Sequence, residues 1–270
     1  MNVVLRPVVV AFNSTAGFFR FMGELTYLIG DAAAGIRRSL FQKQGRQLGW
    51  ANLWAQMNRV GVRSIPIVCL VLFCIGGILA LQMAPILRDY GAGDRVADII
   101  AIAVGRELGP LVCAIVLTGF AGASIAAELG TMVVSEEIEA MEAQAINPVR
   151  FLVVPRVLAT MIMMVCICVV GDLAGGLGGM VTANFFLGQS PTMYAHHSFD
   201  ALKLKDFVTG LIKSGVFGLL ISALACRLGL SVTGGAQGVG VATTRTVVLT
   251  IVALIFVDLI FTAVFYFLGW

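Results

Sequence analysis

Five charged residues lie within or beside long apolar stretches of this 270-residue chain: Arg106, Glu107, Asp172, Lys213 and Asp258. A charge inside a bilayer costs roughly 2.5–3.5 kcal/mol unless it is paired or faces water, so such charges predict a functional site. The alternative is structural, because Lys213 would also hold helices together by pairing with Asp258 or Asp172. Neither interpretation is excluded by the residues alone.

The segment Arg106-Glu-Leu-Gly-Pro110 is the most specific local signal among these charges. Pro110 removes a backbone hydrogen bond and is expected to kink its helix, and Gly105 and Gly109 allow another backbone to approach. A kinked helix that carries an ion pair near the outer boundary predicts a cavity for a polar headgroup. Arg106 is the side chain suited to a phosphate.

A second signal is acidic and lies between two apolar stretches, from Thr131 to Pro148. Its apolar residues Val134, Ile138, Met141 and Ala145 are spaced by 4, 3 and 4 and predict one face of a short helix. Four glutamates lie mostly elsewhere: Glu136, Glu137, Glu139 and Glu142. Ser135 is predicted to cap the start, and Asn147-Pro148 to end the helix. This helix would dock on a soluble partner protein, or it would connect two spans at the membrane interface. Its acidity favours the partner protein, because an anionic membrane surface repels glutamate.

Catalytic and metal-binding patterns are absent from the sequence. There is no P-loop, no HExxH and no GxSxG, and the only histidines are the adjacent pair His196-His197. None of the six cysteines forms a CxxC pair. We therefore expect a protein that is not an enzyme and holds no cofactor or metal. The net charge of +3 does not suggest nucleic-acid binding.

The composition indicates what must position these residues. Charged residues make up 12% of the chain against about 25% in an average soluble domain. Hydrophobic residues make up 59%, and the mean hydropathy is +0.96. A soluble globule and a disordered chain are excluded, and long unbroken apolar runs argue against a transmembrane barrel. The prediction is an all-α polytopic membrane protein.

The positions of the charges divide the chain into five predicted spans, at about residues 64–87, 99–127, 157–188, 207–230 and 246–270. Residues 189–206 and 231–245 are predicted loops. The basic cluster before residue 64 places the N-terminus in the cytoplasm, so the C-terminus would be outside.

Residues 1–50 form a separate predicted region with an interfacial amphipathic helix, or a short soluble helix packed on a partner. Residues 51–270 form the membrane domain.

A glycine pattern in the third predicted span has two interpretations. Gly171, Gly175 and Gly179 form two overlapping GxxxG steps on one helix face. Such a face would be a subunit interface or would pack inside the chain.

Seven short stretches in one order resemble the MlaE/YrbE family of ABC-transporter permeases. They are Val60–Ser64 with Ala80–Gln82, Arg106–Pro110, Ala126–Thr131, Asn147–Arg150 with Val154–Val157, and Gly240–Val247. The resemblance covers about residues 50–270. It implies a homodimer in the bacterial inner membrane that moves phospholipids between inner and outer membranes. The implied partners are a cytoplasmic ABC ATPase, a periplasmic MCE-domain hexamer and a small STAS-domain protein.

The resemblance also implies roles for residues. The ATPase-coupling helix maps to Ser135–Ile146, with Ser135, Glu136, Glu137, Ile138, Glu139, Met141 and Glu142. The lipid pocket between two copies would be lined by Leu79, Ile86, Leu87, Tyr90, Arg106, Glu107 and Leu108. Lys213 matches a basic residue of the fourth span. Phe120 departs from the family, where many members carry an arginine.

Two other function classes remain as alternatives. A secondary transporter or channel usually has inverted repeats, which this sequence lacks. A membrane scaffold without transport activity would not need buried charges or a kinked ion pair.

Overall fold

A computed structural model of the chain describes residues 50–269 and the single residue Gly30. The predicted N-terminal interfacial helix therefore lies outside the described residues. Every regular element within the described part is helical. The α-helices are α1 (Trp50–Val60), α2 (Ile65–Asp89), α3 (Val96–Ala103), α4 (Gly109–Leu117), α5 (Ala123–Val134), α6 (Glu137–Ala143), α7 (Val154–Leu187), α8 (Pro191–Ala201), α9 (Leu204–Leu230) and α10 (Gly235–Phe267).

Five helical stretches are long and apolar enough to cross a membrane, which confirms the all-α polytopic prediction. They are span 1 (Asn52–Asp89), span 2 (Val96–Val134), span 3 (Val149–Leu187), span 4 (Leu204–Leu230) and span 5 (Gly235–Phe267). Span 2 consists of α3, α4 and α5 joined by two π-helical turns, Val104–Leu108 and Thr118–Gly122. A third π turn, Val149–Val153, begins span 3.

Two predicted loops are wrong in detail. Helix α10 begins at Gly235, so the predicted loop 231–245 ends about three turns early. Helix α8 occupies most of the predicted loop 189–206, with Pro191 in its first turn. In both cases glycine or proline marks a helix start, where proline is tolerated and where a left-handed residue such as Gly234 (φ 86°) precedes the helix.

The spans alternate in direction, so the bundle has two ends. The α8 end carries the turn after α2 and helix α8, and Gln189 donates there to the carbonyl oxygen of Gly93 (2.9 Å). The α6 end carries α6, the start of span 1 and the turn between α9 and α10. These two names are used below for the two sides of the bundle.

Span 3 lies at the centre of the bundle because its glycines let neighbouring backbones approach. Gly175 and Gly178 pack against span 1, where a β-carbon on Gly178 would overlap the carbonyl oxygen of Phe73. A β-carbon on Gly171 would meet Leu72, and one on Gly179 would meet the Tyr194 hydroxyl. The glycine face therefore packs within one chain, which decides between the two interpretations of its GxxxG pattern.

We expect Gly178→Ala to lower the free energy of unfolding by about 1–3 kcal/mol, because the added methyl overpacks a helix contact that cannot relax. Reversible unfolding in mixed detergent micelles measures this change. Gly176→Ala is the matched control, since a β-carbon at Gly176 has nothing within 4 Å. Equal stabilities of the two variants would contradict the close packing of spans 1 and 3.

Candidate functional site

A buried lysine joins three spans. The Lys213 side chain in span 4 is fully buried, and its Nζ lies 2.5 Å from Glu107 Oε2 in span 2. The same Nζ lies 3.0 Å from Asp258 Oδ1 in span 5 and donates to Thr262 Oγ1 at 3.0 Å. The Thr262 hydroxyl lies 3.3 Å from both Glu107 carboxylate oxygens. Two carboxylates therefore surround one ammonium group.

Helix geometry puts these three charges at one depth. At about 1.5 Å per residue, Glu107 lies ~16 Å from the start of span 2, and Lys213 lies ~14 Å from the start of span 4. Asp258 lies ~14 Å before the end of span 5, by the same rise. All three of these span ends belong to the α8 end. The cluster therefore lies well inside the apolar part of the bundle, where solvation is poorest.

Arg106 extends the cluster toward the α8 end. Its Nη1 lies 3.1 Å from Asp206 Oδ1, in the first turn of span 4, and its Nε lies 4.0 Å from Glu107 Oε1. About a quarter of the Arg106 side chain is exposed, whereas the Lys213 side chain is fully buried. Together with Asp258 these residues carry three formal negative charges and two positive ones. Arg106 is the cation of the cluster that a ligand can reach.

The local bend in span 2 differs from the expected proline kink. The backbone widens into a π turn from Val104 to Leu108, which the Gly109 amide closes by donating to the Val104 carbonyl oxygen. Pro110 follows directly after this π turn, as the second residue of α4. The π turn carries Arg106 and Glu107 as neighbours, one toward Asp206 and the other toward Lys213.

Asp172 does not join this cluster. Of the two partners that the sequence leaves open for Lys213, the structure has Asp258, while Asp172 lies in span 3 against Gly109. One Asp172 oxygen lies 3.7 Å from Cys168 Sγ, and the other has no hydrogen-bond partner among the described residues. Gly109 leaves room for this carboxylate, since a β-carbon there would overlap Asp172 Oδ1.

The apolar residues predicted for the lipid pocket fall into two sets. Leu79 and Leu87 pack on a buried cluster that contains Val104, in the same π turn as Arg106. Ile86 and Tyr90 are exposed, at 51% and 82%, near the end of span 1. Leu108 is half-buried. Two cavities at the α6 end, one at the turn between α9 and α10 and one between α1 and span 2, do not include these residues.

The predicted coupling helix is shorter than expected. Helix α6 spans Glu137–Ala143, because Glu136 (φ 60°) and Ala145 (φ 58°) adopt left-handed backbone conformations on either side of it. The prediction that Ser135 caps α6 is wrong, because Glu136 precedes the helix and the Ser135 hydroxyl donates to the Thr131 carbonyl oxygen at the end of α5. The acidic and apolar faces do separate. Ile138 and Met141 pack on the main core, while Glu136, Glu137, Glu139 and Glu142 are exposed.

A second charge cluster, at the α6 end, was not singled out from the sequence. Glu128 of span 2 pairs with Arg59 of α1 and, at 3.2 Å, with the buried Arg156 of span 3. Arg156 also donates to the Leu152 carbonyl oxygen at 2.9 Å. Within the described residues no group of three or more His, Cys, Asp or Glu side chains is arranged to hold a metal ion.

Two members of the Lys213 cluster, Asp206 and Thr262, were not predicted, although their spacing in the sequence could have identified them. Asp206 precedes Lys213 by seven residues, and Thr262 follows Asp258 by four, so each pair shares one helix face. Glu128 offers no such signal, because its two arginine partners lie on different helices.

Comparison with known proteins gives consistent matches. The model of the family described as Permease MlaE matches residues 53–264. A probable ABC transporter permease protein of Rickettsia felis is 36% identical over 211 residues, which are 78% of this chain and 82% of that protein. A probable ABC transporter permease protein of Synechocystis is 35% identical over 211 residues, which are 78% of this chain and 80% of that protein. The chloroplastic protein TRIGALACTOSYLDIACYLGLYCEROL 1 of Arabidopsis thaliana is 30% identical over 220 residues, 82% of this chain and 63% of its own.

We expect Lys213→Met to lower the free energy of unfolding by about 3 kcal/mol, because it leaves two partly buried carboxylates without their cation. The triple variant Glu107→Gln, Lys213→Met, Asp258→Asn removes all three formal charges and is expected to recover most of the loss. Unfolding in mixed micelles measures both. A Lys213→Met chain as stable as the wild type would show that the cluster does not hold the spans together.

Proposed function

We propose, because the chain belongs to the MlaE permease family, that it is the membrane subunit of an ABC transporter that moves phospholipids between two membranes. The multi-pass architecture and the ABC-permease relatives support the transport class. They disfavour the secondary transporter and the scaffold. The finer parts of the proposal are the phospholipid substrate, its binding residues and the partner proteins; the charges around Arg106 support the first two, and the partners are those that the family resemblance implies.

The observation that carries the substrate class is the Arg106–Asp206 pair beside the fully buried Lys213. A partly exposed guanidinium within an otherwise apolar bundle suits a ligand with a phosphate at one end and hydrocarbon at the other. The exposed Ile86 and Tyr90 offer the apolar contact surface nearby along span 1. The Arabidopsis relative is named for a galactosylated diacylglycerol, which shares the diacylglycerol part of a phospholipid and carries sugars in place of the phosphate.

The proposed binding step is an exchange of partners on Arg106. In the described chain Asp206 holds this guanidinium, and a lipid phosphate would replace the carboxylate as its acceptor. Lys213 stays with Glu107 and Asp258 and keeps the three spans together while Arg106 changes partner. Leu79, Leu87 and Leu108 would contact the lipid beside the headgroup, with a second copy of the chain completing the pocket.

The proposed coupling element is helix α6. Its glutamates are exposed, while Ile138 and Met141 pack on the main core. A displacement of α6 by a partner would therefore be transmitted to spans 2 and 3. A cytoplasmic ABC ATPase is the proposed partner there, with a STAS-domain protein on the ATPase. An MCE-domain hexamer would receive or deliver lipid at the α8 end.

The distribution of basic residues supports an inner-membrane orientation with the α6 end in the cytoplasm. Arginines at that end are Arg59, Arg63, Arg150, Arg156, Arg227 and Arg245. The α8 end carries Arg88, Arg95, Lys203 and Lys205. Basic residues favour the cytoplasmic side, so the N-terminus would be cytoplasmic and the C-terminus periplasmic.

We expect Arg106→Ala and Glu107→Ala to reduce lipid transfer at least about tenfold, because each removes a charge-assisted contact from the site. Transfer of labelled phospholipid by the reconstituted complex measures this at equal expression. Arg95→Ala is the control, since Arg95 pairs with Asp98 at the exposed α8 end. Wild-type transfer by both site variants would refute the site assignment.

We expect Glu139→Lys to abolish co-purification of the ATPase, because it reverses a charge on the exposed face of α6. Asp200→Lys, an equal charge reversal at the α8 end, should leave co-purification unchanged. If both variants retain the ATPase as the wild type does, α6 is not the docking element.

A further inference from the structure

A polar cavity at the α6 end has no role in the proposed transport site. It has a volume of about 180 Å³ and lies between α1 and the second π turn of span 2. Its lining includes Gln56, Arg59, Arg63, Phe120, Ser124 and Glu128. Phe120 lies 13 residues, or ~20 Å of helix, from Glu107, so the two sites are separate.

The cavity is electropositive. Glu128 is the carboxylate of its lining, and Arg59 and Arg156 both pair with it. Arg63 adds another positive charge, is exposed and makes no ion pair among the described residues. The cavity lining therefore carries two arginines and one glutamate, and Arg156 outside the lining also pairs with that glutamate, which leaves the cavity suited to an anion.

A buried polar group in the cavity also lacks a partner. Gln56 is only 9% exposed, and its side-chain oxygen Oε1 has no hydrogen-bond donor among the described residues. A buried polar atom without a partner costs free energy comparable to a lost hydrogen bond. The missing partner is a donor, so a fitting ligand carries an O–H or N–H beside its anionic group.

The surroundings place this cavity at a membrane boundary. Arg63 immediately precedes the charge-free stretch of span 1 that begins at Ser64. Phe120 in the lining is 40% exposed, and Val62 beside Arg63 is 52% exposed. A small soluble anion would gain nothing from this apolar surface, whereas a lipid would lay its glycerol and acyl groups against it.

We propose that this cavity binds the headgroup of a phospholipid, with its phosphate on Arg63 and Arg59 and a headgroup donor on Gln56 Oε1. The lipid comes from the leaflet at the α6 end. The site is distinct from the Arg106 site and is tested by binding alone, so its failure leaves the proposed transport function standing.

The test measures equilibrium binding to the purified full-length chain in detergent micelles. The probes are phosphatidylglycerol, which has a phosphate and hydroxyl donors, phosphatidylmethanol, which has the same net charge and no donor, and inorganic phosphate. The wild-type chain should bind phosphatidylglycerol about tenfold more tightly than phosphatidylmethanol, since one additional hydrogen bond is made. Arg106→Ala should keep this preference.

Two variants test the phosphate contact and the headgroup-donor contact separately. The Arg63→Gln variant should bind both lipids about tenfold more weakly than the wild type, because a charge-assisted contact to phosphate is lost. Gln56→Leu should lower phosphatidylglycerol binding to the level of phosphatidylmethanol, and it keeps the fold because it replaces a buried amide, whose oxygen has no partner among the described residues, with an apolar side chain of similar size. Arg245→Gln is the matched control, an exposed arginine at the same end and outside this cavity.

Each outcome decides the proposal. Weaker lipid binding in Arg63→Gln but not in Arg245→Gln supports the site. Inorganic phosphate that displaces lipid at similar concentrations would support the phosphate contact and overturn the lipid as its source. Equal binding by Arg63→Gln and Arg245→Gln, or an unchanged lipid preference in Gln56→Leu, would overturn the proposal.

Discussion

The bundle depends on neutralising one buried cation. Lys213 is fully buried at about the middle of an apolar helix, where an unpaired ammonium would be prohibitively costly. Glu107 and Asp258 satisfy it from two other spans, and Thr262 accepts a further hydrogen bond from it. This requirement brings spans 2, 4 and 5 together at one depth, and that contact places Arg106 next to Asp206 at the partly exposed edge of the cluster.

The remaining spans divide between rigid packing and exposed surface. Span 3 is held from several sides by its glycine contacts and forms the centre of the core. Spans 1 and 5 expose many large apolar side chains, including Leu70 and Phe256. This difference agrees with the proposed dimer, in which a second copy covers part of that surface. The two π turns of span 2 lie beside the Arg106 cluster and the α6-end cavity, so span 2 connects both polar sites.

Much of this arrangement follows from the sequence, and the rest does not for physical reasons. The five spans were predictable because charges are scarce and divide the apolar stretches, and the separation of acidic and apolar faces in α6 followed from spacing. The start of α10 was missed because glycine and threonine suggest a loop even where helical hydrogen bonds continue. The pairing of Lys213 with Glu107 and the Glu128 cluster depend on which helices pack together, and single-sequence periodicity does not specify that.

The central claim is that a phospholipid occupies the space beside Arg106 during transport, and photo-crosslinking during turnover tests it most directly. A photoreactive residue at Leu108, with labelled phospholipid in the reconstituted transporter, is compared with the same residue at Ile162, an exposed position in span 3. We expect ATP to change lipid crosslinking at Leu108 and to leave crosslinking at Ile162 unchanged. Crosslinking at Leu108 that does not respond to ATP would contradict it.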